Sequence, residues 1–462
     1  MRAVRYLAGT IVMLTTASVA VAPQVVAQQE GTTPDSSLQA RVDQLDQQLR
    51  VLQRLRELEA DSIRAAAKDK VSAAAGKDGF SIKSADGKYA VRLKGLVQTD
   101  GRFFLSDSAF PVTNTFFLRR ARPILEATVG KYLEFRLMPD FGQGTTVLFD
   151  AYSDVKIAPE FAVRVGKFKA PVDLERLQSA SDIVFAERAL ATNLAPNRDV
   201  GLQVSGDIST GTFAYAAGIF NGVPDLGNGD GDVTDAKDFV GRIFLQPFKR
   251  GSLAGLGFGV SGSTGIERGN TAAPQLASYR TAGQQTWFRY LSSTTTPVNN
   301  VFADGTRQRV APQGYWYNGP LGVHGEYIVS WQEVKRLNFE NVKLQHSAWQ
   351  ATGSYFLTGE KNGWRSVTPK KPFDPAAGTF GAVEVAARYS ELSVDDATFP
   401  TFANPAITPS KAKAWAVGLN WYLAKGIKVV LDYEHTTFDG GTATGEDREP
   451  ENFVVSRVQY SF

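Results

Sequence analysis

The chain has 462 residues, of which 43% are hydrophobic and 21% charged, with a formal net charge of +3 and no cysteine. Disulfides and thiolate metal sites are therefore excluded, and nothing indicates a nucleic-acid partner. Past the N-terminus no apolar run approaches the roughly 18 residues that a spanning helix needs.

The first segment, MRAVRYLAGTIVMLTTASVAVAPQVVAQ, carries Arg2 and Arg5, an apolar stretch from Leu7 to Ala22, and small residues before a Gln-rich continuation. This is the pattern of a cleaved export signal, expected over 1–27. Next, Leu38, Val42, Leu45, Leu49 and Leu52 recur at spacings of four and three, the seam of a coiled coil. The seam stops where Arg56 and Glu59 take the following two positions, before Ile63. So short a helix is marginal alone and gains from tethered copies of itself. The coil and its linker are expected over 28–78, with AAAKDKVSAAAGKDG as a hinge.

From Lys88 the period changes to two. Tyr89, Val91, Leu93 and Val97 share one face, opposite Arg92, Lys94, Gln98, Asp100 and Arg102. The same alternation returns at Trp415, Val417, Leu419, Trp421 and Leu423, which oppose Asn420 and Tyr422. It predicts strands with one dry and one wet face. Tight links at VGKY, APEF, DIST, KRGS, NGPL and AKGI alternate with long polar ones such as 222–236 and 269–305, as in an outer-membrane barrel. The link TGEKNGWRSVTPKKPFDPAAG breaks the rhythm but belongs with the short turns if the count is to close. The chain ends on ENFVVSRVQYSF, with Val458, Tyr460 and Phe462 on an apolar face and Arg457 and Gln459 opposite. About sixteen strands from Tyr89 return both termini to one side. The expected fold is all-β: a transmembrane antiparallel barrel over 79–462, preceded by a signal peptide and a short periplasmic coiled-coil helix.

This explains why TFFLRRARPILEATVG sets arginines in an apolar strand. Phe117, Ala121, Leu125 and Val129 would face lipid, leaving Arg120, Arg122, Glu126 and Thr128 in the lumen. An arginine facing lipid at the midplane costs about 2–4 kcal/mol. Sixteen strands enclose an aqueous channel. The link VDLERLQSASDIVFAERALATNLAPNRDVG lacks alternation yet holds Leu174, Leu177, Ile183, Val184 and Phe185, so it is expected to fold into the barrel mouth as a constriction.

The runs RRARPILEATVGKYLEFRLMPDFG, RVGKFKAPVDLERLQSASDIVFAERALATNLAPNRDVGLQVSGD, AAGIFNGVPD and RVAPQGYWYNGPLGVHGEY together resemble the phosphate-selective porin family of porins O and P, from about Gly79 to Phe462. The resemblance implies a homotrimeric sixteen-stranded channel in outer-membrane lipid whose basic lumen and inward third loop attract small anions such as phosphate. On this chain it points to Lys167, Lys169, Arg176, Arg188 and Arg198 in and beside the loop, and to Arg120 and Arg122 on the wall. Arg136 and Arg164 complete the pore-lining set. Val172 departs from the family, which often has an aromatic there.

Each arginine has a plainer reading as a brace paired to a carboxylate across strands. Glu126, Glu134, Asp140, Glu384, Asp432 and Glu434 share the wet faces, so the lumen is expected to be mixed in charge. Asn228, Asp230, Asp232 and Asp235 offer oxygen ligands but lack the offsets of a calcium loop. His324, His346 and His435 fall on separate strands, and no nucleophile and base stand at catalytic spacing. No enzyme, metal or cofactor is expected. The alternatives are a carbohydrate or general diffusion pore, marked by aromatics along the lumen, and a tether whose coil, roughly 40 Å long at 1.5 Å per residue, reaches the cell wall.

Overall fold

The computed structural model describes residues 35–68, 70–76, 78–105, 112–232 and 234–462. The export signal expected over 1–27 lies outside them. The chain divides into two units after Lys68.

In the first unit, α1 (Asp35–Lys68) is one continuous helix. Leu38, Val42, Leu45, Leu49 and Leu52 are all more than half exposed, and so are Val51, Leu55 and Leu58. Leu55 and Leu58 follow Leu52 at steps of three and are exposed like it. Arg50 pairs with Asp46 at 2.8 Å and Arg54 with Glu57 at 2.9 Å, away from this stripe.

The second unit begins where a hinge was expected. Instead β1 (Ser72–Gly76) and β2 (Gly79–Lys83) form a hairpin. The wall follows with β3 (Tyr89–Phe104), β4 (Thr115–Val129), β5 (Leu133–Asp140), β6 (Val147–Ala158), β7 (Phe161–Phe168), β8 (Asp199–Ile208), β9 (Phe213–Phe220), β10 (Asp238–Leu245) and β11 (Leu256–Arg268). After a small separate hairpin, β12 (Ser278–Arg280) and β13 (Thr286–Arg289), come β14 (Phe302–Asn318), β15 (Leu321–Lys335), β16 (Val342–Phe356), β17 (Ala382–Ser393), β18 (Lys411–Ala424), β19 (Ile427–Asp439) and β20 (Glu451–Ser461). β3 to β11 and β14 to β20 pair in sequence, and β20 pairs back onto β3, closing a sixteen-stranded antiparallel barrel. β20 covers β3 from Leu96 to Phe104, and β2 continues along the same edge from Ala90 to Leu93.

Alternation sorts the side chains as the sequence predicts. Trp415, Val417 and Leu419 are exposed on the outer face, while Asn420 and Tyr422 are buried within. One strand departs from it. On β4 the register with β3 jumps from Gln98↔Arg120 to Thr99↔Leu118, leaving Arg119 as an extra, bulged residue. A bulge reverses the alternation beyond it. Phe116 and Leu118 therefore point outward, and Phe117, expected on the lipid face, lies inside under the Arg102 guanidinium at 4.8 Å.

The hydrophobic core is inside the barrel. Leu190 and Leu194 from the link 169–198, Tyr279, Trp287, Phe288 and Tyr290 from 269–301, and Phe402 from 394–410 pack with Ile328, Leu344 and Phe438 of the wall. The link 269–305, expected only as a long polar connection, thus runs partly inside the barrel. Its four core aromatics need burial, and the lumen supplies it. TGEKNGWRSVTPKKPFDPAAG does lie at the short-turn end, as the count required, between β16 and β17.

Candidate pore constriction

The link 169–198 has no strand partner to satisfy its backbone, yet it is buried, so its amides and carbonyls need other partners. Asp173, at φ 73°, turns the chain inward, and its amide donates to Ser261 Oγ at 3.1 Å. The Leu174 amide then donates to Glu326 Oε2 at 2.6 Å on β15.

From 180 onward the wall supplies the donors. Gln98 reaches Ala180 O and Gln459 reaches Ser181 O, each at 3.0 Å. Lys428 Nζ reaches Ile183 O at 2.9 Å and Asn420 reaches Val184 O at 3.0 Å. Arg388 Nη1 reaches Glu187 O at 2.8 Å, and its guanidinium covers the Phe185 ring at 4.4 Å. The Ala186 amide donates to Asp432 Oδ2 at 2.6 Å. These donors and acceptors sit on β3 and on β17 to β20, so the loop is laced to that part of the wall.

Glu187 fastens it. Its carboxylate accepts from Arg119 at 2.7 and 3.0 Å and from Arg457 Nη2 at 2.9 Å, with Arg120 Nη2 at 3.5 Å. Burial alone raises a carboxyl pKa, but these three guanidinium groups hold that of Glu187 well below the usual range. In the sequence Glu187 reads only as a charge that offsets its basic neighbours. Its function as a clasp depends on residues far along the chain.

What remains open is a cavity of about 800 Å³ bounded by this loop, the lumen faces of β3 to β10, residues 364–367 and the turn at Lys425. Nine cations and three carboxylates, Asp78, Asp150 and Asp182, line it. Six of the cations are paired. Arg122 binds Asp140 at 2.7 Å, Arg164 forks onto Asp154 at 2.7 and 2.8 Å, and Arg198 meets Asp150 at 3.2 Å. Arg136 bridges Glu126 at 2.8 Å and Asp150 at 3.3 Å, Lys94 takes the other Glu126 oxygen at 2.8 Å, and Lys425 pairs with Asp78. Among the described residues Lys169, Arg242 and Arg365 have no carboxylate partner. Lys169 Nζ donates to Gln178 O at 2.8 Å, and Arg242 donates to Gln313 Oε1 at 3.1 Å. Burial first, and then Arg198 and Arg188, push the Lys169 pKa well below the ordinary lysine value.

Of the nine basic residues singled out in the sequence, Arg122, Arg136, Arg164, Lys169 and Arg198 line the cavity. Arg120 is buried behind it, bonded to Gln98 at 2.6 Å. Arg176 and Arg188 brace the loop from within, on Thr192 O at 2.5 Å and on Glu175 O and Gln178 O at 3.0 and 2.7 Å. Lys167 does not line the cavity; it is buried and pairs with Asp230. Asp232 is taken up by Lys237 at 2.6 Å, so two of the candidate calcium ligands serve ion pairs. Sequence reasoning missed Arg242, although its alternation with exposed Phe239 and Ile243 on β10 signals an inward position. Arg365, inside an irregular link, carries no such signal.

Residues 91–462 match the family described as phosphate-selective porin O and P. The chain belongs to that family. It is accordingly an outer-membrane channel rather than an enzyme. Porin O of Pseudomonas aeruginosa is 25% identical over 407 residues, covering 84% of this chain and 91% of that protein. The solved structure of the outer membrane channel DcaP of Acinetobacter baumannii superposes with a TM-score of 0.51 at 13% identity, over 83% of this chain and 99% of that one. An anion-selective porin from Comamonas acidovorans gives 0.50 at 12%, over 81% and 100%. A trimer form of OmpT of Vibrio cholerae gives 0.50 at 15%, over 81% and 99%. These structures share the fold.

Proposed function

We propose that this porin passes small anions by preference, phosphate among them, and that the constriction loop is its filter. One observation carries the reading: among the described residues, three cavity-lining cations, Lys169, Arg242 and Arg365, are paired with no carboxylate. In a narrow aqueous path between low-dielectric walls, uncancelled positive charge raises the local anion concentration. The family's description and the Comamonas acidovorans neighbour point the same way. Reversal potentials across a planar bilayer in a potassium chloride gradient test it. A sign set by chloride, with block by added phosphate, is expected, and a sign set by potassium rejects the reading.

We further propose a homotrimer with α1 in the periplasm, exported by a signal over 1–27. Two features support association through the wall. β5, β7, β9 and β10 have only 8 residues each, against 12 to 17 in β14 to β19. Eight tilted residues rise about 20 Å, less than the apolar band of about 25 Å. The outward tryptophans that favour a lipid interface, Trp316, Trp331, Trp349, Trp415 and Trp421, all lie on β14 to β18. The low, tryptophan-free wall suits contact with another copy. The apolar stripe of α1 adds avidity to it. In this cysteine-free chain, Val165→Cys should cross-link between copies in membranes and Val417→Cys should not. The reverse result places the interface elsewhere.

A further inference from the structure

The link 357–381 is far longer than neighbouring antiparallel strands require. It turns into the lumen from the short-turn end. Its Trp364 ring stacks on Tyr315 of β14 with centroids 5.4 Å apart and planes 29° from parallel. Val367 packs against Phe356, Ala382 and Tyr422. Asn362 Nδ2 donates to Ser354 Oγ at 2.7 Å. The link is thus anchored to the wall at three places.

From this anchorage it reaches the constriction loop. Trp364 O accepts from Gln178 Nε2 at 2.8 Å, and the Ser366 amide donates to Asp182 Oδ1 at 3.3 Å. Gln178 is itself the point on which two cations converge. Its carbonyl oxygen accepts from Lys169 Nζ at 2.8 Å and from Arg188 Nη2 at 2.7 Å. Two like charges drawn to one oxygen repel each other, and they remain together only while that oxygen is held in place. The Gln178 side chain is buried, and its Nε2 contact with Trp364 ties it to an element outside its own loop.

We infer that Gln178 is a positioning residue for the anion filter, held from the short-turn end by Trp364, so that the link 357–381 sets where Lys169 and Arg188 stand. Selectivity is then a joint property of the constriction loop and a second loop that enters from the opposite mouth. The inference rests on the anion-channel reading proposed above. The charged groups around Lys169 are Arg198, Arg188 and Arg176, with Asp150 opposing them. Moving Gln178 changes the spacing of Lys169 from Arg188 and leaves Asp150 and Arg198 in place.

The test uses the full chain reconstituted in planar bilayers, with barrel folding confirmed by heat-modifiable gel mobility. Gln178→Met removes the donor at similar length, Trp364→Ala removes the stacking anchor, and Trp364→Phe keeps it. Each of the first two should lower the anion-to-cation permeability ratio by about three-fold or more, and the double variant should lower it no further, because residues acting through one link are not additive. In both, the pH at which selectivity falls should move up toward the ordinary lysine range as Arg188 separates from Lys169, a change that loosening alone does not produce. Trp364→Phe should match the wild type. If the wild type prefers cations, the channel reading itself fails. If the wild type prefers anions but the two substitutions have no effect, add independently, or leave the pH midpoint unmoved, this inference is overturned and the channel reading stands.

Discussion

Arg457 on the last strand forks onto Asp100 on the first, with Nε to Oδ1 at 2.6 Å and Nη2 to Oδ2 at 2.7 Å, both side chains almost wholly buried. The pair lies in register across the seam where the barrel closes. Breaking a buried pair by removing one partner costs about 3–5 kcal/mol, because a charge is left uncompensated. Asp100→Ala should therefore lower the unfolding free energy in urea by about that amount. A loss below about 1 kcal/mol would mean that Glu187 alone satisfies Arg457.

Glu187 joins the loop to both sides of that seam through Arg119 and Arg457. Glu187→Gln keeps the shape and removes the charge that three guanidinium groups share. The loop should swing more freely, giving larger and noisier single-channel currents with the barrel intact. Unchanged conductance would show that the carbonyl contacts at 180–187 suffice.

Lys169 and Lys167 are two residues apart and make opposite predictions. Lys169 lines the cavity without a carboxylate partner among the described residues, whereas Lys167 is buried against Asp230 and does not line it. Lys169→Gln should reduce anion over cation permeability several-fold, and Lys167→Gln should leave it unaltered. Equal effects in reversal-potential measurements would place the filter elsewhere.

The same lysine gives a pH dependence. Burial and the neighbouring Arg198 and Arg188 lower its pKa, so its charge is present at low pH and is lost as pH rises through the lowered value. Anion preference should therefore decline as pH rises, and at a lower pH than that at which exposed lysines, near 10.4, titrate. In Lys169→Arg the decline should move to higher pH, since a guanidinium holds its proton more tightly than an ammonium in the same place. A decline at the same pH in that variant assigns the titration to another group.

The outer face can be probed at Leu419, which is exposed near the middle of β18. Leu419→Arg should cost about 2–4 kcal/mol in lipid vesicles, because the charge enters hydrocarbon. Wild-type stability would show that this position is covered by protein or lies at the rim.

The sequence by itself determined the barrel. A period of two, alternating link lengths and a terminal apolar face at Val458, Tyr460 and Phe462 are local signals, because each strand must present one face to lipid and one to water. It also required burial for Leu174, Ile183 and Phe185, and the buried loop supplies it. The orientation of individual charges was decided by tertiary structure. A single bulged residue, Arg119, reverses the alternation and turns Phe117 inward. Arg120 is withdrawn behind the cavity by Gln98 and Glu187. The partners that cancel or spare each cation come from strands tens to hundreds of residues away, as Arg457 finds Asp100 and Glu187. A charge acts on a passing ion only where no opposite charge stands beside it. Closure of the barrel and the path of two inward loops place those neighbours, so only the tertiary structure decided that, among the described residues, Lys169, Arg242 and Arg365 line the cavity without a paired carboxylate.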